Sequence, residues 1–394
     1  MNIIFFDEER VRQSLLPLSF TRPVADFRVG ITTIREKWER VVDGAVSYLT
    51  ADYLSEKFSL VVADDNLFIA GNVCPSYSAE FAAKVNGLQS GEALVCDSQL
   101  VAFRGTMDDL EARKFVNEYA CEESLCVINR PYDIFIANGR QIIADYAVMD
   151  VADCQPLSAT NMVIGPTVDE AGRPMVYVAP GATVEGAIFN TKKGPIVIGA
   201  DAEVMEGSCL RGPVALGEHA VINMGTMVYP DTTIGPWCKV GGELNNAVFF
   251  GYSNKAHDGF LGNAVIGEWC NLGADTVASN LKNDYSFVRV WNYATESFER
   301  TNHQFCGLIM GDHSKAGINT MFNTATVVGV GCNIHGAGFP RTYIPSFSIG
   351  GAAGIDEIPL QKFFDTATRV MSRRGKSLTD ADRALYTHLH THRK

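Results

Sequence analysis

The side chains able to do chemistry in this chain are few in kind. There are eight histidines: His219, His257, His303, His313, His335 and the tail residues His388, His390 and His392. A catalytic or structural metal needs three or four such ligands at one point. No three of the first five recur at a common interval. The tail triplet, at i, i+2 and i+4, does not share one helical face and reads as a frayed, solvated end. The ten cysteines stand singly with no C-x-x-C, which excludes a zinc ribbon or a disulfide framework. They read as reduced, mostly buried thiols in a cytoplasmic protein. No metal is assigned. A lone imidazole, in contrast, can take up a proton near neutral pH. The most informative surroundings belong to His257, in Gly251-Tyr-Ser-Asn-Lys-Ala-His-Asp-Gly-Phe-Leu-Gly-Asn-Ala-Val-Ile-Gly-Glu-Trp-Cys-Asn-Leu-Gly-Ala-Asp-Thr276.

The elements that must position these residues repeat. Ile198, Val204, Leu210, Leu216, Ile222, Val228, Ile234 and Val240 fall at every sixth position. Neither a helix nor a flat strand has that period. A chain that turns a corner every six residues does, with one aliphatic side chain per side pointing to the axis. Such coils bury their stripe only by stacking, as a parallel β-helix. The repeat begins near Val178 and Val184. After Val240 it slips and is expected to resume at Val248, Asn254, Phe260, Ile266 and Leu272. Residues 282–305 lack it and read as a protruding hairpin or loop, and loops of that length are usually functional. It restarts at Met310, Ala316, Phe322, Val328 and Ile334. Leu360 to His390 is expected to form one C-terminal helix, with Phe363, Phe364, Ala367, Val370 and Met371 on its apolar side.

Within this frame the Gly251–Thr276 passage resembles the hexapeptide-repeat acyltransferases, and most of all the acetyltransferase half of the bacterial bifunctional uridyltransferase/glucosamine-1-phosphate acetyltransferases. Lys255, His257, Leu261-Gly262-Asn263-Ala264, Ile266-Gly267, Asn271-Leu272-Gly273-Ala274, Thr276 and Asn280 match that family's motifs in order. The resemblance implies a left-handed β-helix that forms homotrimers, with acetyl-CoA as acyl donor. It makes His257 the base that deprotonates an attacking amine. The backbone N–H of Ala274 becomes the donor to the tetrahedral oxyanion. Lys255, Phe260, Asn271 and Asn280 become substrate contacts. Met310 to Asn319 resembles the coil that lines the CoA side, which assigns Lys315, Ile318 and Asn319 to CoA. There are departures. The family's basic phosphate-gripping positions are matched by Met227 and Asn245-Asn246, Phe260 replaces a Tyr, and Leu281 replaces an aromatic residue.

The N-terminal part reads as α/β. Ile3–Phe6 and Leu60–Ala63 are expected as buried strands. Helices are expected over 31–42, 79–85, 108–119 and 140–151, and a hairpin about Asp97-Ser98. Pro17-Leu-Ser-Phe-Thr-Arg-Pro23 resembles an element of sugar-1-phosphate nucleotidyltransferases, but Asp7-Glu-Glu-Arg-Val-Arg12 stands where that family has its phosphate-cradling glycines. The resemblance leaves two readings: a variant nucleotidyltransferase that holds phosphates with Arg22, Arg28, Arg35 and Lys37, or a degenerate domain kept for structure. It equates Asp64-Asp65-Asn66 with a passage whose Asp holds Mg²⁺, needed if this domain is active.

Length and composition suit about two globular domains, and the formal charge of −12 argues against nucleic acid as a partner. No signal peptide or membrane span is expected. The expected organisation is an α/β nucleotidyltransferase-like domain (1–155), a left-handed parallel β-helix (156–355) and a C-terminal helix and tail (356–394). The expected function is sugar-nucleotide biosynthesis in the cytoplasm: acetyl transfer from CoA to an amino sugar or its phosphate, with nucleotidyl transfer from a nucleoside triphosphate to a sugar 1-phosphate at the first domain. Two alternatives stay open. One is nucleotidyl transfer only, with the β-helix serving trimerisation or regulation. The other is a non-catalytic scaffold that binds a nucleotide sugar.

Overall fold

The computed structural model describes residues 1–393 and divides into two compact units. The first comprises residues 1–15, 21–27 and 32–130. The second takes residues 16–20, 28–31 and the chain from Pro131 onward. Helix Pro131–Val148 therefore belongs with the β-helix. It lies close against the coils because Gly139 has no side chain: a Cβ there would overlap the Asp231 carboxylate. Beside it, Asn138 donates to the Asp231 carbonyl at 2.8 Å and to Thr233 Oγ1 at 2.9 Å.

The first unit is built on a mixed six-stranded sheet. Its order is Ala45–Leu49, Asn2–Phe6, Asn66–Ala70, Gln99–Gly105, Glu92–Cys96, Asn117–Ala120. Asn2–Phe6 runs parallel to both its neighbours. Ile3–Phe6 is a buried strand as expected, and the hairpin turns at Asp97 and Ser98 with φ of 46° and 67°. Other expectations are corrected. Leu60–Ala63 forms no strand, and Val61 and Val62 are more than half exposed. Its polar groups are held by side chains instead: Asn2 donates to the Val61 carbonyl and Asn66 accepts from the Ala63 N–H. The buried strand is the next segment, Asn66–Ala70. The helix expected from 31 starts only at Ile34, after a Thr33/Glu36 capping box, and ends at Trp38. The helix expected to reach Tyr119 stops at Glu111, and Asn117–Ala120 joins the sheet edge.

The second unit is a parallel β-helix. Strand registers stack its axial side chains in three columns. One runs Val178, Ile198, Leu216, Ile234, Phe249, Ile266, Met310, Val328. A second runs Phe189, Leu210, Val228, Leu244, Leu261, Ala278, Phe322. The third runs Val184, Val204, Ile222, Val240, then Lys255, then Leu272 and Ala316. The resumption expected at Val248, Asn254 and Phe260 is thus one residue early. Leu244 follows Val240 by only four residues and Phe249 follows Leu244 by five, so one coil is short. Gly242, at φ 77°, makes that tight corner. The axial residues are Phe249, Lys255 and Leu261, and one of them is a lysine.

One corner of every coil carries a residue at positive φ, and several are bulky: His219, Trp237, Tyr252, Trp269 and His313, between 53° and 60°. This conformation is costly for large side chains. Their rings lie one above another, with centroids at 4.1 Å for His219–Trp237 and 4.3 Å for Tyr252–Trp269. Such stacking offsets part of the strain. Two helices, Leu360–Ser372 and Asp380–Thr391, pack on the end of this column, where Phe363 and Tyr386 meet His313 edge-on. The single C-terminal helix expected is broken by Gly375, at φ 66°, and restarted by a Thr379/Asp382 capping box. The tail is docked rather than frayed: His390 Nε2 lies 2.9 Å from the Ile358 carbonyl and 3.2 Å from Glu357. Residues 282–305 do form a hairpin, Arg289–Asn292 with Ser297–Arg300, and it folds back so that Trp291 stacks on Tyr343. Among the described residues no helix is long and apolar enough to cross a membrane.

The axial columns predict a contrast between neighbours. Ile222→Ala, on the axis, is expected to destabilise the β-helix by about 2–5 kcal/mol, while outward-facing Val221→Ala stays within about 0.5 kcal/mol of the parent. Chemical denaturation of both variants checks this.

Candidate functional site

The corner that follows the Lys255 column brings three of the expected site residues into line. His257, Ala274 and Ile318 each stand two places after their axial residue, Lys255, Leu272 and Ala316, on successive coils. The Asn319 N–H donates to the Ala274 carbonyl at 2.8 Å, which fixes the stacking of the last two coils. Adjacent coils are separated by about the strand spacing of 4.8 Å. The His257 imidazole is exposed and has no hydrogen-bond partner among the described residues. The Ala274 N–H also makes no bond within the described chain. An unbonded base and an unbonded amide donor therefore sit one coil apart.

Lys255 takes a different place from a solvent-facing substrate contact. It is 1% exposed. Its ammonium donates to the carbonyls of Gly241 at 3.2 Å, His257 at 2.8 Å and Asp258 at 3.1 Å. The three N–H groups of the ammonium are matched by three acceptors, which allows a charge to sit inside the coil. Burial lowers its pKa from 10.5 to about 8, opposed by Asp258 and Asp275. Lys255 is thus a clamp on the turn that carries His257. Phe260 and Asn280 lie together beyond that turn, since a Cβ on Gly262 would touch both the Phe260 ring and the Asn280 amide. Asn280 is held by Asn263 Oδ1 at 2.8 Å. Asn271 and Lys315 are paired on the opposite side of the corner, facing out from the third column. The site residues thus flank the corner on two faces.

The expected phosphate residues of the N-terminal part are not assembled. Arg28 belongs to the second unit, where it donates to the carbonyls of Phe250 and Ile31. Lys37 is fully buried and Arg22 is 7% exposed. Asp65 does not fit a Mg²⁺ ligand: it is paired with Arg104 at 2.7 Å. Among the described residues no group of three or more His, Cys, Asp or Glu side chains is placed to hold a metal ion. At the carboxyl ends of the parallel strands, where open α/β sheets bind ligands, stands Asp7. Its carboxylate accepts from Thr50 Oγ1 at 2.6 Å and from the Val24 N–H at 3.1 Å. Burial raises its pKa from 3.8 to about 6, and those hydrogen bonds oppose the rise. Glu8, next to it, is paired with Arg113. The place of the phosphate-cradling glycines is thus filled by acidic groups with partners of their own.

Residues 3–151 match the family described as sugar nucleotidyl transferase. The match covers a little over a third of the chain. The chain is also similar to the bifunctional protein GlmU of Mycolicibacterium vanbaalenii, 27% identical over 231 residues, or 56% of this chain and 42% of that one. It resembles the bifunctional sugar-1-phosphate nucleotidylyltransferase/acetyltransferase of Sulfurisphaera tokodaii, 29% identical over 36% of each. The matches span less than half the length of these curated relatives. A solved UDP-N-acetylglucosamine acyltransferase from Arabidopsis matches over 60% of this chain and 90% of its own, at 13% identity and a TM-score of 0.22.

Two features of the first unit and the coils escaped the sequence reading. The bonding of Asp7 was hidden because an acidic run after a strand, Asp7-Glu8-Glu9, looks like ordinary loop. The ring column was readable in principle: an aromatic or His residue recurs one or two places after the corner glycine, as in Gly217-Glu-His, Gly235-Pro-Trp, Gly251-Tyr and Gly267-Glu-Trp.

Asp7 predicts a pH-dependent gain. Folded Asp7 releases its proton later than unfolded Asp7, so stability falls as pH rises from 3.8 to about 6 and the cost persists above. Asp7→Asn is expected to raise the melting temperature at pH 7 by roughly 4–8 °C, the effect of about 1 kcal/mol in a small domain. The gain should vanish near pH 4, and melting curves across that range test both parts.

Proposed function

We propose that this protein is a cytoplasmic enzyme of sugar-nucleotide biosynthesis that transfers an acetyl group from CoA to the amine of an amino sugar or its phosphate. The observation that carries this reading is the pairing of the exposed His257 imidazole with the unbonded Ala274 N–H on adjoining coils of one corner. In the reaction the amine nitrogen attacks the thioester carbonyl, and His257 removes the amine proton. The Ala274 N–H donates to the oxyanion that forms on the carbonyl oxygen. The C–S bond then breaks, the C–N bond remains, and the protonated imidazole returns its proton to the departing CoA thiolate. Lys255 contributes by holding the turn, not by touching the substrate. Phe260, Asn271 and Asn280 are the proposed contacts to the acceptor, and Lys315, Ile318 and Asn319 to the donor.

Further support comes from what this side of the coil exposes. Met224 and Ile318 on the corner, and Met227 and Val277 on the face after it, are 71%, 73%, 44% and 36% exposed. We read this side as covered by neighbouring copies in a homotrimer. The ten cysteines are all unpaired, which supports a reducing compartment.

For the nucleotidyl transferase domain, the second reading is binding of a nucleotide sugar without turnover. The half-buried Asp7 carboxylate, bonded to Thr50 and to the Val24 N–H where a triphosphate needs open N–H groups, favours it over nucleotidyl transfer.

The test is thiol release from acetyl-CoA with a panel of amino sugars and their 1-phosphates. Release that depends on an amino sugar is expected, falling by about 10²–10⁴ in His257→Ala. Lys255→Met, which keeps an apolar side chain on the axis but frees the turn, is expected to lose about 10-fold in kcat with little change in melting temperature. No release with any acceptor, or full activity in His257→Ala, overturns the reading.

A further inference from the structure

Four cationic side chains meet in a cavity of about 460 Å³ between helix Leu360–Ser372 and the outward face of the third column. Lys239 and Lys315 come from the coils, and Arg373 and Arg374 from the end of the helix. No carboxylate lines it. A fifth cation, Lys362, lines the small adjoining cavity, where Lys315 is also a wall. Among the described residues none of these five forms an ion pair with an acidic side chain. This runs against the composition, since the chain holds 45 acidic and 33 basic residues.

Ordinary causes account for part of the cluster. Cations at the end of a helix complement its dipole, which suits Arg373 and Arg374. That cause does not reach Lys239 and Lys315, which stand on β-strand positions three coils apart. Lys315 is the least explained. Its ammonium has one hydrogen bond, to the His313 carbonyl at 2.8 Å, although it carries three N–H donors. Burial pushes its pKa down. The Lys255 ammonium, on the axis two coils earlier, is saturated by three carbonyls. Lys315 instead keeps two donors uncommitted at the cavity wall. Like charges gathered around a sheltered space repel one another, and an anion between them reverses that cost.

The remaining walls say what else the ligand carries. Tyr252 and Trp269, stacked at 4.3 Å, present an apolar edge. The side-chain amides of Asn254 and Asn271 offer donors and acceptors, and Arg374 lies 3.5 Å from the Asn254 oxygen. The volume falls within the roughly 300–1,000 Å³ common for small-molecule sites.

We propose that this groove binds a nucleoside bearing two or more phosphates, the phosphates lying among Lys239, Lys315 and the helix-borne Arg373 and Arg374, and the nucleoside along the Tyr252–Trp269 edge. Two ligands share that chemistry: the adenosine-phosphate end of CoA, and a nucleotide sugar acting as a regulator. The first rests on the acyl-transfer reading, because Ala256, next to His257, also borders the groove. The second does not.

Calorimetric titration of the full chain separates them. The probes are desulfo-CoA, uridine and thymidine diphosphate sugars, and inorganic pyrophosphate. Saturable binding is expected with one nucleotide class, weakened at least about 10-fold by Arg374→Ala or by Lys239→Ala, as loss of a charge-assisted contact predicts. Arg369→Ala, on the same helix but outside the cavity, is expected to leave binding unchanged. A response to desulfo-CoA alone identifies the donor, and a response to a sugar nucleotide alone identifies a regulator. Binding is expected to survive His257→Ala, so loss of turnover in that variant does not bear on the groove. No binding by any nucleotide to protein that melts normally overturns the proposal. So does binding that ignores both groove variants, or pyrophosphate binding as tightly as the nucleotides.

Discussion

Everything in the second unit depends on one constraint: each side of a coil has room for a single side chain at the axis, and that side chain must be removed from water. Most positions meet it with Val, Ile, Leu or Phe. Because the stripe is continuous only when coils stack in register, every outward position is fixed as firmly as the core. Residues far apart in the chain, such as Asn271 and Lys315, become neighbours without any contact of their own having to specify it. The corners inherit the same precision, which is how an imidazole on one coil and an amide N–H on the next can share a site.

Lys255 is where the scaffold gives up this rule. Its stem fills the axial slot, and its ammonium turns into the corner to hold the carbonyls of the turn that bears His257. The coil just before it is shortened, with Gly241-Gly242 replacing a longer corner. The two departures belong together, because the shortened corner supplies the third acceptor, the Gly241 carbonyl. A charge in the core is tolerated where its donors are all met. The result is a rigid turn on a surface that is otherwise built from ordinary hexapeptide corners.

Much of this was legible in the sequence, for reasons that differ by region. From Ile198 to Val240 the period of six is unbroken, and those anchors are the axial residues. The period then failed as a guide at Val248, Asn254 and Phe260, because a shortened coil shifts the register by one and a lysine on the axis breaks the apolar signal. The motif likeness located His257 and Ala274 on one corner even so. It misjudged Lys255, since sequence cannot say whether an amine faces water or three carbonyls. In the first unit Leu60–Ala63 looked like a strand by composition alone, and the side-chain bonds of Asn2 and Asn66 that hold it as a loop leave no periodic trace. Lys315 was singled out, but its grouping with Lys239, Arg373 and Arg374 was missed, because these residues are far apart in sequence and meet only after the C-terminal helix has folded back.

Lys255 carries its charge inside the coil and by doing so fixes the turn that bears His257. The direct measurement is the titration of its side-chain nitrogen by NMR in protein labelled at the lysine Nζ, assigned by comparison with Lys255→Met. The expected midpoint is near 8, well below the ordinary 10.5, with exchange of the ammonium protons slow enough to observe. A midpoint at 10.5 with fast exchange would place the ammonium in water, leave the His257 turn without its clamp, and contradict the account.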